Sequence, residues 1–393
     1  MTARTDSFDE QYLLLLQGGL LGRLMSRIGL SGLSTKKGFE RALFWVAVVW
    51  IPPALLTLLG GWVSPERLAF GVFSDWSFQI RCLVALPIFI VVEGRIQAEF
   101  SAVIPAFASR NFFSLVDEQK LQKIGSDLRR FQTYAIVDVV TFGLSLAIVS
   151  QRLYIDLPGQ FLNWKTAESL PYVMASHWNQ WVSLPIYYYF ALRWIVRFFA
   201  WSYFLLRTAL LRPRLTELHP DRTGGLSFIL RYQKMFGIVL FGISAVASAN
   251  IAMVVKYGNQ PIDAFRDPIL LYLFIVNAAI SLPLLVFTPE LVKTRHRGLI
   301  QYSRLANIYA NRFEQKWMTS PENQDPLGTS DIQSLNDLHG SYRSQAQMRI
   351  SLMDVRTLTA ITVLAALPLL PLLLFKFPVM HLITMIMKYF FKI

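Results

Sequence analysis

Residues 193–226 read RWIVRFFAWSYFLLRTALLRPRLTELHPDRTGGL, an apolar helix that carries arginines and runs into a polar turn. Arg193, Arg197 and Arg207 are spaced by four and ten residues, so on an α-helix they fall within an arc of about 80°. A charged side chain near the centre of a membrane span costs roughly 2.5–3.5 kcal/mol on insertion scales. This helix therefore needs counter-charges or water beside its arginine face.

The composition of the whole chain is that of a protein embedded in a lipid bilayer. Of its 393 residues, 54% are hydrophobic and 16% are charged, and several apolar runs approach the roughly 20 residues that cross a bilayer. The net charge of +13 lies mostly at the ends of these runs, as membrane sidedness requires, and we expect no nucleic-acid partner. The single cysteine, Cys82, excludes an intrachain disulfide and a cysteine-based metal site.

Apolar periodicity predicts an all-α, polytopic membrane helix bundle of about seven spans. The predicted spans are 42–63, 77–93, 132–150, 181–207, 235–255, 269–292 and 356–375. Residues 378–393 are apolar but too short for an ordinary span and contain two lysines. We expect a C-terminal amphipathic helix at the membrane interface there, with an eighth short span as the alternative.

The basic residues predict the orientation of these spans. With a cytosolic N-terminus, the inner segments hold 27 of the 38 Lys and Arg residues and the outer segments hold 8. Positively charged loops stay on the cytosolic side of a membrane, so the N-terminus is predicted to lie inside.

Four regions follow from this arrangement: a cytosolic or interfacial N-terminal segment 1–41, a six-span bundle 42–292, a cytosolic helical hairpin 293–353, and the last span with its C-terminal helix, 354–393. Apolar residues at helical spacing among charges predict cytosolic helices at 112–131, 298–318 and 331–353. The polar stretch 320–331 predicts a turn, with Thr329 or Ser330 as the N-cap of the next helix.

A small residue followed by Leu, Pro and a branched aliphatic residue occurs four times. The copies begin at Ala85, Ser183, Ser281 and Ala366. Proline inside a span leaves one carbonyl without its helical partner and breaks the helix. The pattern indicates either three repeated hairpins with broken helices, as transporters use, or the ordinary abundance of Leu and Pro in membrane helices.

Carboxylates near the inner ends of other spans are candidate counter-charges for the arginine face. Asp138 lies roughly 9 Å above the inner end of the third span and Arg197 roughly 15 Å above that of the fourth, so we expect these two to pair. Glu93 and Glu290 are further candidates. Either these ion pairs tie helices together, with aromatic side chains covering the arginines, or Arg193, Arg197 and Arg207 line a permeation path or bind an anion.

The polar turn offers a second candidate site, formed by His219, Asp221, Arg222, Gly224 and Gly225. Free amides at the start of the next helix, close to arginines, suit a phosphate group on a soluble ligand or an anionic lipid. The alternative is a rigid turn in which Asp221 caps the following helix. The pattern is too short to predict a metal site.

The turn from His219 to Leu226 resembles one in a family of uncharacterised bacterial polytopic integral membrane proteins. The segment Gly328 to Leu335 and the proline-rich last span are similar to that family as well. The resemblance implies no known activity and no cofactor, and we expect the protein in a bacterial inner (plasma) membrane.

Three functions are compatible with these features. The leading hypothesis is an ion channel or transporter-like pore, formed by a homo-oligomer, with an arginine-lined path. The second is a membrane-embedded sensor or scaffold that docks a cytosolic protein partner on the hairpin. The third is an enzyme that modifies lipid headgroups through His219 and Asp221. We rank the enzyme last, since no further acid or base is evident at the inner interface.

Overall fold

The computed structural model describes residues 35–63, 71–151, 169–319 and 330–376, together with Arg27. All regular elements in these ranges are helical, which confirms the predicted all-α class. The expected interfacial helix 378–393, most of the N-terminal segment and most of the turn 320–331 lie outside the described residues.

The first half of the described chain forms five helices, two of them interrupted. Helix α1 is Thr35–Val63, α3 is Leu115–Thr133 and α4 is Ala135–Ser150. A 3₁₀ turn at Val72–Ser74 precedes α2, which comprises Trp76–Ile80, a π-helical turn Arg81–Ala85 and Leu86–Ser109. Helix α5 comprises Leu170–Trp178, a π-helical turn Asn179–Ser183 and Leu184–Leu210.

The second half continues with four helices. A 3₁₀ turn Leu226–Phe228 leads into α6, Ile229–Gly258. After a 3₁₀ turn Ile262–Phe265, α7 comprises Arg266–Ser281, a 3₁₀ segment Leu282–Phe287, Thr288–Glu314 and a π-helical turn Gln315–Thr319. Helix α8 is Ser330–Ala346, and α9 is Val355–Ala366, extended by a 3₁₀ segment Leu367–Phe375.

Five helical stretches of the described chain are long and apolar enough to cross a membrane. They are Lys36–Trp62, Trp76–Ile96, Leu226–Gly258, Ile262–Thr319 and Val355–Phe375. The predicted spans 132–150 and 181–207 are helical too, but they are not among the five. Helix α4 has only 16 residues, and α5 carries three arginines with many tyrosines and tryptophans, which lower its mean hydropathy.

The helices predicted to be cytosolic differ from the prediction at their ends. The predicted helix 298–318 is a direct continuation of the α7 span. The predicted helix 331–353 stops at Ala346, and the chain leaves helical geometry before the Asp354 carboxylate caps α9 by accepting from the Thr357 amide at 2.8 Å. The Asp354 side chain bonds an amide at the start of α9 that would otherwise bond a carbonyl of a preceding helical turn. The N-cap therefore separates α9 from α8.

All four Leu-Pro motifs coincide with a change of helix type. In α2 and α5 a π-helical turn ends immediately before Leu86-Pro87 and Leu184-Pro185. In α7 and α9 a 3₁₀ segment begins at Leu282-Pro283 and Leu367-Pro368. Because proline has no N–H, the hydrogen-bond ladder must shift by one residue at each motif, and both helix types accomplish this shift.

Neighbouring helices bond the carbonyls that the prolines of α1 leave free. Pro52 and Pro53 lie inside α1, so the carbonyls of Val48 and Val49 lose their usual helical partners. Trp178 Nε1 of α5 donates to the Val48 carbonyl at 3.1 Å, and Ser183 Oγ donates to the Val49 carbonyl at 2.7 Å. Because water is absent from hydrocarbon, carbonyls that proline leaves free in a span need donors from neighbouring helices, and these two bonds supply them.

Gln233 of α6 makes a similar connection between α5 and α7. Its side chain is fully buried, accepts from Trp201 Nε1 at 2.7 Å and donates to the carbonyl of Ile280 at 2.6 Å. Trp201 itself packs against Tyr232, with ring centroids 4.0 Å apart. Helices α2, α5, α6 and α7 therefore enclose an aromatic core, against which α1, α4 and α9 pack.

Candidate functional site

Five polar side chains from three helices meet inside the bundle and form what we term the charge cluster: Glu93 of α2, Asp138 of α4, and Tyr189, Arg193 and Arg197 of α5. The side chains of its four charged members are only 6–18% exposed. Residues 189, 193 and 197 are spaced one helical turn apart, so α5 presents them as a single column. The cluster is therefore built along α5, with α2 and α4 supplying the acids.

The Asp138 end of the cluster is a closed triangle of hydrogen bonds. Asp138 Oδ1 accepts from Tyr189 Oη at 3.0 Å and from Arg193 Nη1 at 3.2 Å. The same Arg193 nitrogen also lies 3.0 Å from Tyr189 Oη. Tyr189 was predicted only as one of the aromatic side chains that cover the arginines, whereas its hydroxyl bonds the acid directly.

The Glu93 end joins both arginines. Arg197 Nη2 donates to Glu93 Oε1, and Arg193 Nη2 lies 3.9 Å from the same oxygen. The Arg197 guanidinium also covers the Trp194 ring, 4.9 Å from its centroid. Glu93 is therefore the counter-charge that α5 shares between its two buried arginines.

The predicted Asp138–Arg197 pair is wrong, because Asp138 pairs with Arg193 instead. The prediction compared the heights of Asp138 and Arg197 above the inner ends of their spans and assumed that these two ends lie at the same level. Helix α5 continues to Leu210, while α4 begins at Ala135 directly after α3. Counting from those ends therefore misplaces α5 by one helical turn, and Arg193, one turn before Arg197 in the sequence, lies opposite Asp138.

Two of the predicted site residues lie apart from the cluster. Arg207 is exposed, and its guanidinium lies 5.9 Å from the centroid of the Tyr203 ring. Glu290 is half-buried in the first turn of the Thr288–Glu314 segment of α7 and makes no ion pair with any described residue. Neither residue belongs to the charge cluster.

Arg41 of α1 is a member that the sequence did not single out. It lies close enough to Glu93 to act on its charge. Its Nε and Nη2 atoms are buried, and they make no hydrogen bond to any described residue. With Arg41 included, the described residues of this region comprise three guanidinium groups and two carboxylates, an excess of one positive charge. Arg41 was overlooked because it was counted with the basic residues of the inner segment 1–41.

The polar turn is held by the carboxylate of Asp221. Asp221 Oδ1 accepts from the amides of Thr223 at 2.8 Å and Gly225 at 3.0 Å, and Oδ2 accepts from the amide of Ser227 at 3.1 Å. His219 Nδ1 lies 2.9 Å from Oδ1. Partial burial raises the pKa of Asp221, but the three amide hydrogen bonds outweigh it and lower that pKa to about 2.

Other segments close over this turn. Arg110 Nη1 donates to the Gly225 carbonyl at 2.6 Å, and the Arg349 amide donates to the Arg222 carbonyl at 2.7 Å. Gly224 and Gly225 adopt positive φ of 66° and 96°. A Cβ at Gly225 would lie 2.8 Å from the Phe112 ring, so the tight approach also requires glycine.

The amides that were expected to face a phosphate group are thus bonded to Asp221. The structure favours the rigid-turn interpretation of these residues, in which Asp221 organises the start of α6. Within the described ranges, no group of three or more His, Cys, Asp or Glu side chains is placed to hold a metal ion.

In comparisons with known proteins, the chain matches no protein family, no curated protein and no solved structure. The resemblance carried by the turn therefore remains an expectation from the residues themselves. The function has to be argued from the geometry of the charge cluster.

Proposed function

We propose that the chain is a membrane channel or carrier for small anions, and that the charge cluster together with Arg41 is its anion site. The observation that carries the proposal is the excess positive charge: Arg41, Arg193 and Arg197 against Glu93 and Asp138, all among apolar helices. An uncompensated charge inside a bundle is costly. An anion passing or binding there supplies the missing counter-charge.

The proposed topology places this site in the inner half of the membrane. We propose seven spans with a cytosolic N-terminus, adding α4 and α5 to the five long apolar helices. The excess of Lys and Arg in the inner segments supports this orientation. Arg41 follows the first residue of α1 by six residues, or about 9 Å, so its guanidinium lies close to the cytosolic interface.

The helix breaks support movement around the site. The π-helical turns of α2 and α5 end eight residues before Glu93 and ten residues before Arg193. Both turns therefore lie two to three helical turns from the cluster, on its outer side. Such interruptions occur often at functional positions, and broken helices flank the substrate sites of many transporters. Bending there would separate Glu93 from the arginines of α5 without unfolding either helix.

The His219–Asp221 pair supports lipid chemistry less well. A catalytic base needs a free lone pair directed at its substrate. Asp221 instead accepts three backbone hydrogen bonds and contacts His219. Its depressed pKa, about 2, keeps it ionised and weakly basic at neutral pH.

The proposal is tested by anion efflux from proteoliposomes that contain the purified full-length chain. Wild-type protein is compared with Arg197→Ala and with the control Arg207→Ala, which removes an arginine from the same helix outside the cluster. We expect Arg197→Ala to lower the flux at least about tenfold, equivalent to ~1.4 kcal/mol, and Arg207→Ala to leave it within about twofold.

Absence of anion flux in the wild type would refute the proposal, and so would equal losses in the two variants. Size-exclusion profiles and circular dichroism of all three proteins establish that the comparison is made between folded samples.

A further inference from the structure

The guanidinium of Arg41 has one unused edge. Its Nε and Nη2 atoms are both buried and bond no described acceptor. These two nitrogens lie on the same side of the planar group, so their N–H bonds point in nearly the same direction. Arg41 therefore presents a two-pronged donor inside the helix bundle.

The two acids of the cluster bond other side chains through one oxygen each. Glu93 Oε1 accepts from Arg197 and lies 3.9 Å from Arg193. Asp138 Oδ1 accepts from Arg193 and Tyr189, and its buried Oδ2 bonds neither Arg41 nor any other described residue. Buried donors without an acceptor are unfavourable, and two on one charged group more so. The arrangement is that of a site whose acceptor comes from outside the described chain.

A buried glycine lies beside the unused edge of Arg41. Gly38 lies one turn before Arg41 on α1 and faces the backbone of Val91 on α2. A Cβ built at Gly38 would contact Val91 Cα and the Val91 carbonyl oxygen at 3.8 Å and Arg41 Nη2 at 4.0 Å. The absence of a side chain at residue 38 leaves the donor edge of Arg41 without a methyl group in contact with it.

We propose that the Nε and Nη2 edge of Arg41 binds an oxyanion in a bidentate manner, and that the ligand class of the site is carboxylate or phosphate rather than halide. This inference rests on the proposed function and names its substrate class. Two oxygens of a carboxylate or phosphate group match the parallel N–H bonds of one guanidinium edge, which a spherical halide or a lysine ammonium does not.

Two sources supply this chemistry. One is a soluble oxyanion on its way through the membrane. The other is the phosphodiester of a lipid headgroup, because Arg41 lies near the inner interface in the proposed orientation. The shared feature is the pair of oxygens, and the experiment separates the sources.

Thermal unfolding of the purified full-length chain in lipid-free detergent tests the soluble ligands. Sodium acetate, sodium phosphate and sodium chloride are titrated at matched ionic strength against the wild type, Arg41→Lys and Arg207→Lys. Ligands that bind the folded state raise Tm in proportion to occupancy. We expect acetate or phosphate, but not chloride, to raise Tm of the wild type and of Arg207→Lys. In Arg41→Lys the apparent Kd should weaken at least about tenfold, because the charge remains and the two-pronged edge is lost.

The lipid source is tested with the same three proteins in nanodiscs of phosphatidylcholine with and without phosphatidylglycerol, and by native mass spectrometry of retained lipid. A lipid ligand is expected to remain bound to the wild type and to Arg207→Lys, and to be lost from Arg41→Lys. The inference is overturned when chloride stabilises the wild type as well as the oxyanions do. It is equally overturned when Arg41→Lys responds like the wild type in every arm, or when no arm stabilises the wild type.

These measurements detect binding, whereas the proteoliposome assay detects flux. Oxyanion binding without flux would leave the Arg41 site standing and refute the channel or carrier. Flux without an oxyanion preference at Arg41 would support the channel or carrier and refute the Arg41 site. The melting temperatures of the ligand-free proteins show whether Arg41→Lys is folded before any ligand is added.

Discussion

The charge cluster and the His219–Leu226 turn contain the same kinds of residue but are completed in opposite ways. In the turn, the Asp221 carboxylate accepts hydrogen bonds from three backbone amides. The Arg110 side chain donates to the Gly225 carbonyl, and the Arg349 amide donates to the Arg222 carbonyl. In the cluster, two carboxylates serve three arginines and leave the Nε and Nη2 atoms of Arg41 without an acceptor among the described residues. The carboxylate of the turn is therefore bonded by its own chain, with only Thr223 Oγ1 buried without a described partner, whereas a charged edge of the cluster is left unbonded.

This difference separates a structural motif from a candidate site. The turn is the more motif-like feature of the sequence, yet its polar atoms are used to shape the backbone. The arginines of the cluster and Arg41 form no recognisable motif, yet two buried donors of Arg41 have no acceptor among the described residues. Unfinished hydrogen bonding in a buried region is the better indicator of a ligand, since folding alone gives no reason to retain it.

The largest expected effect concerns the acid shared by the cluster. Glu93→Gln leaves Arg193 and Arg197 buried without a charged partner at that end, and removing one member of a buried pair typically costs about 3–5 kcal/mol. We expect a loss of that order in the free energy of unfolding, measured by denaturant titration in detergent.

Glu290→Gln is the matched control, because Glu290 is the same residue type, is half-buried on α7 and makes no ion pair among the described residues. It should change stability by less than about 0.5 kcal/mol. Similar losses in the two variants would show that the cluster holds no special charge balance, and the contrast with the turn would disappear.

A smaller effect, with a defined pH window, is expected at the turn. The pKa of Asp221 in the folded chain is about 2, below its ordinary value near 3.8. The ionised carboxylate therefore stabilises the fold above about pH 4, and this contribution, about 2 kcal/mol, is lost as the pH falls from about 4 to 2. Asp221→Asn should remove most of it at neutral pH and flatten the stability profile in that window.

Unfolding measured between pH 6 and pH 2 checks this expectation. Asp337→Asn serves as control, since Asp337 is exposed on α8 and its carboxylate accepts from Gln333 but from no other described residue, and it should retain the wild-type profile. An unchanged profile in Asp221→Asn would mean that the amide bonds of the turn contribute no net stability, and the turn would then no longer count as complete.

Much of the fold is predictable because hydropathy and proline act locally. Apolar runs predict the helices, and each Leu-Pro motif marks a helix break, since the missing N–H of proline acts on its own turn. The motif does not determine whether the break becomes a π-helical turn, as before Leu86, or a 3₁₀ segment, as from Leu282, because the same Leu-Pro pattern accompanies both.

The candidate site was predictable only in part. The high cost of arginine in a span indicates Arg193 and Arg197, and it requires acids such as Glu93 and Asp138 nearby. Which acid meets which arginine depends on the relative heights of α2, α4 and α5, which tertiary packing determines. Arg41 had no distinguishing signal, because a basic residue at the start of a span is ordinary and only the fold shows that its donors are buried.

The smallest expected effect on the free energy of unfolding concerns the hydrogen bond that links the π-helical turn of α5 to α1. Ser183 Oγ donates to the Val49 carbonyl that Pro53 leaves free. Hydrogen bonds between membrane helices average about 0.6 kcal/mol, so Ser183→Ala should lower stability by about that amount. Ser202→Ala on the same helix is the control, because Ser202 bonds only the Phe198 carbonyl of its own helix.

In a Pro53→Ala background the Val49 carbonyl regains a backbone donor, and the cost of Ser183→Ala should shrink toward that of Ser202→Ala. An equal cost of Ser183→Ala in both backgrounds would show that proline does not create the need for this bond. The break in α5 would then be a property of α5 alone, unconnected to the broken helix beside it.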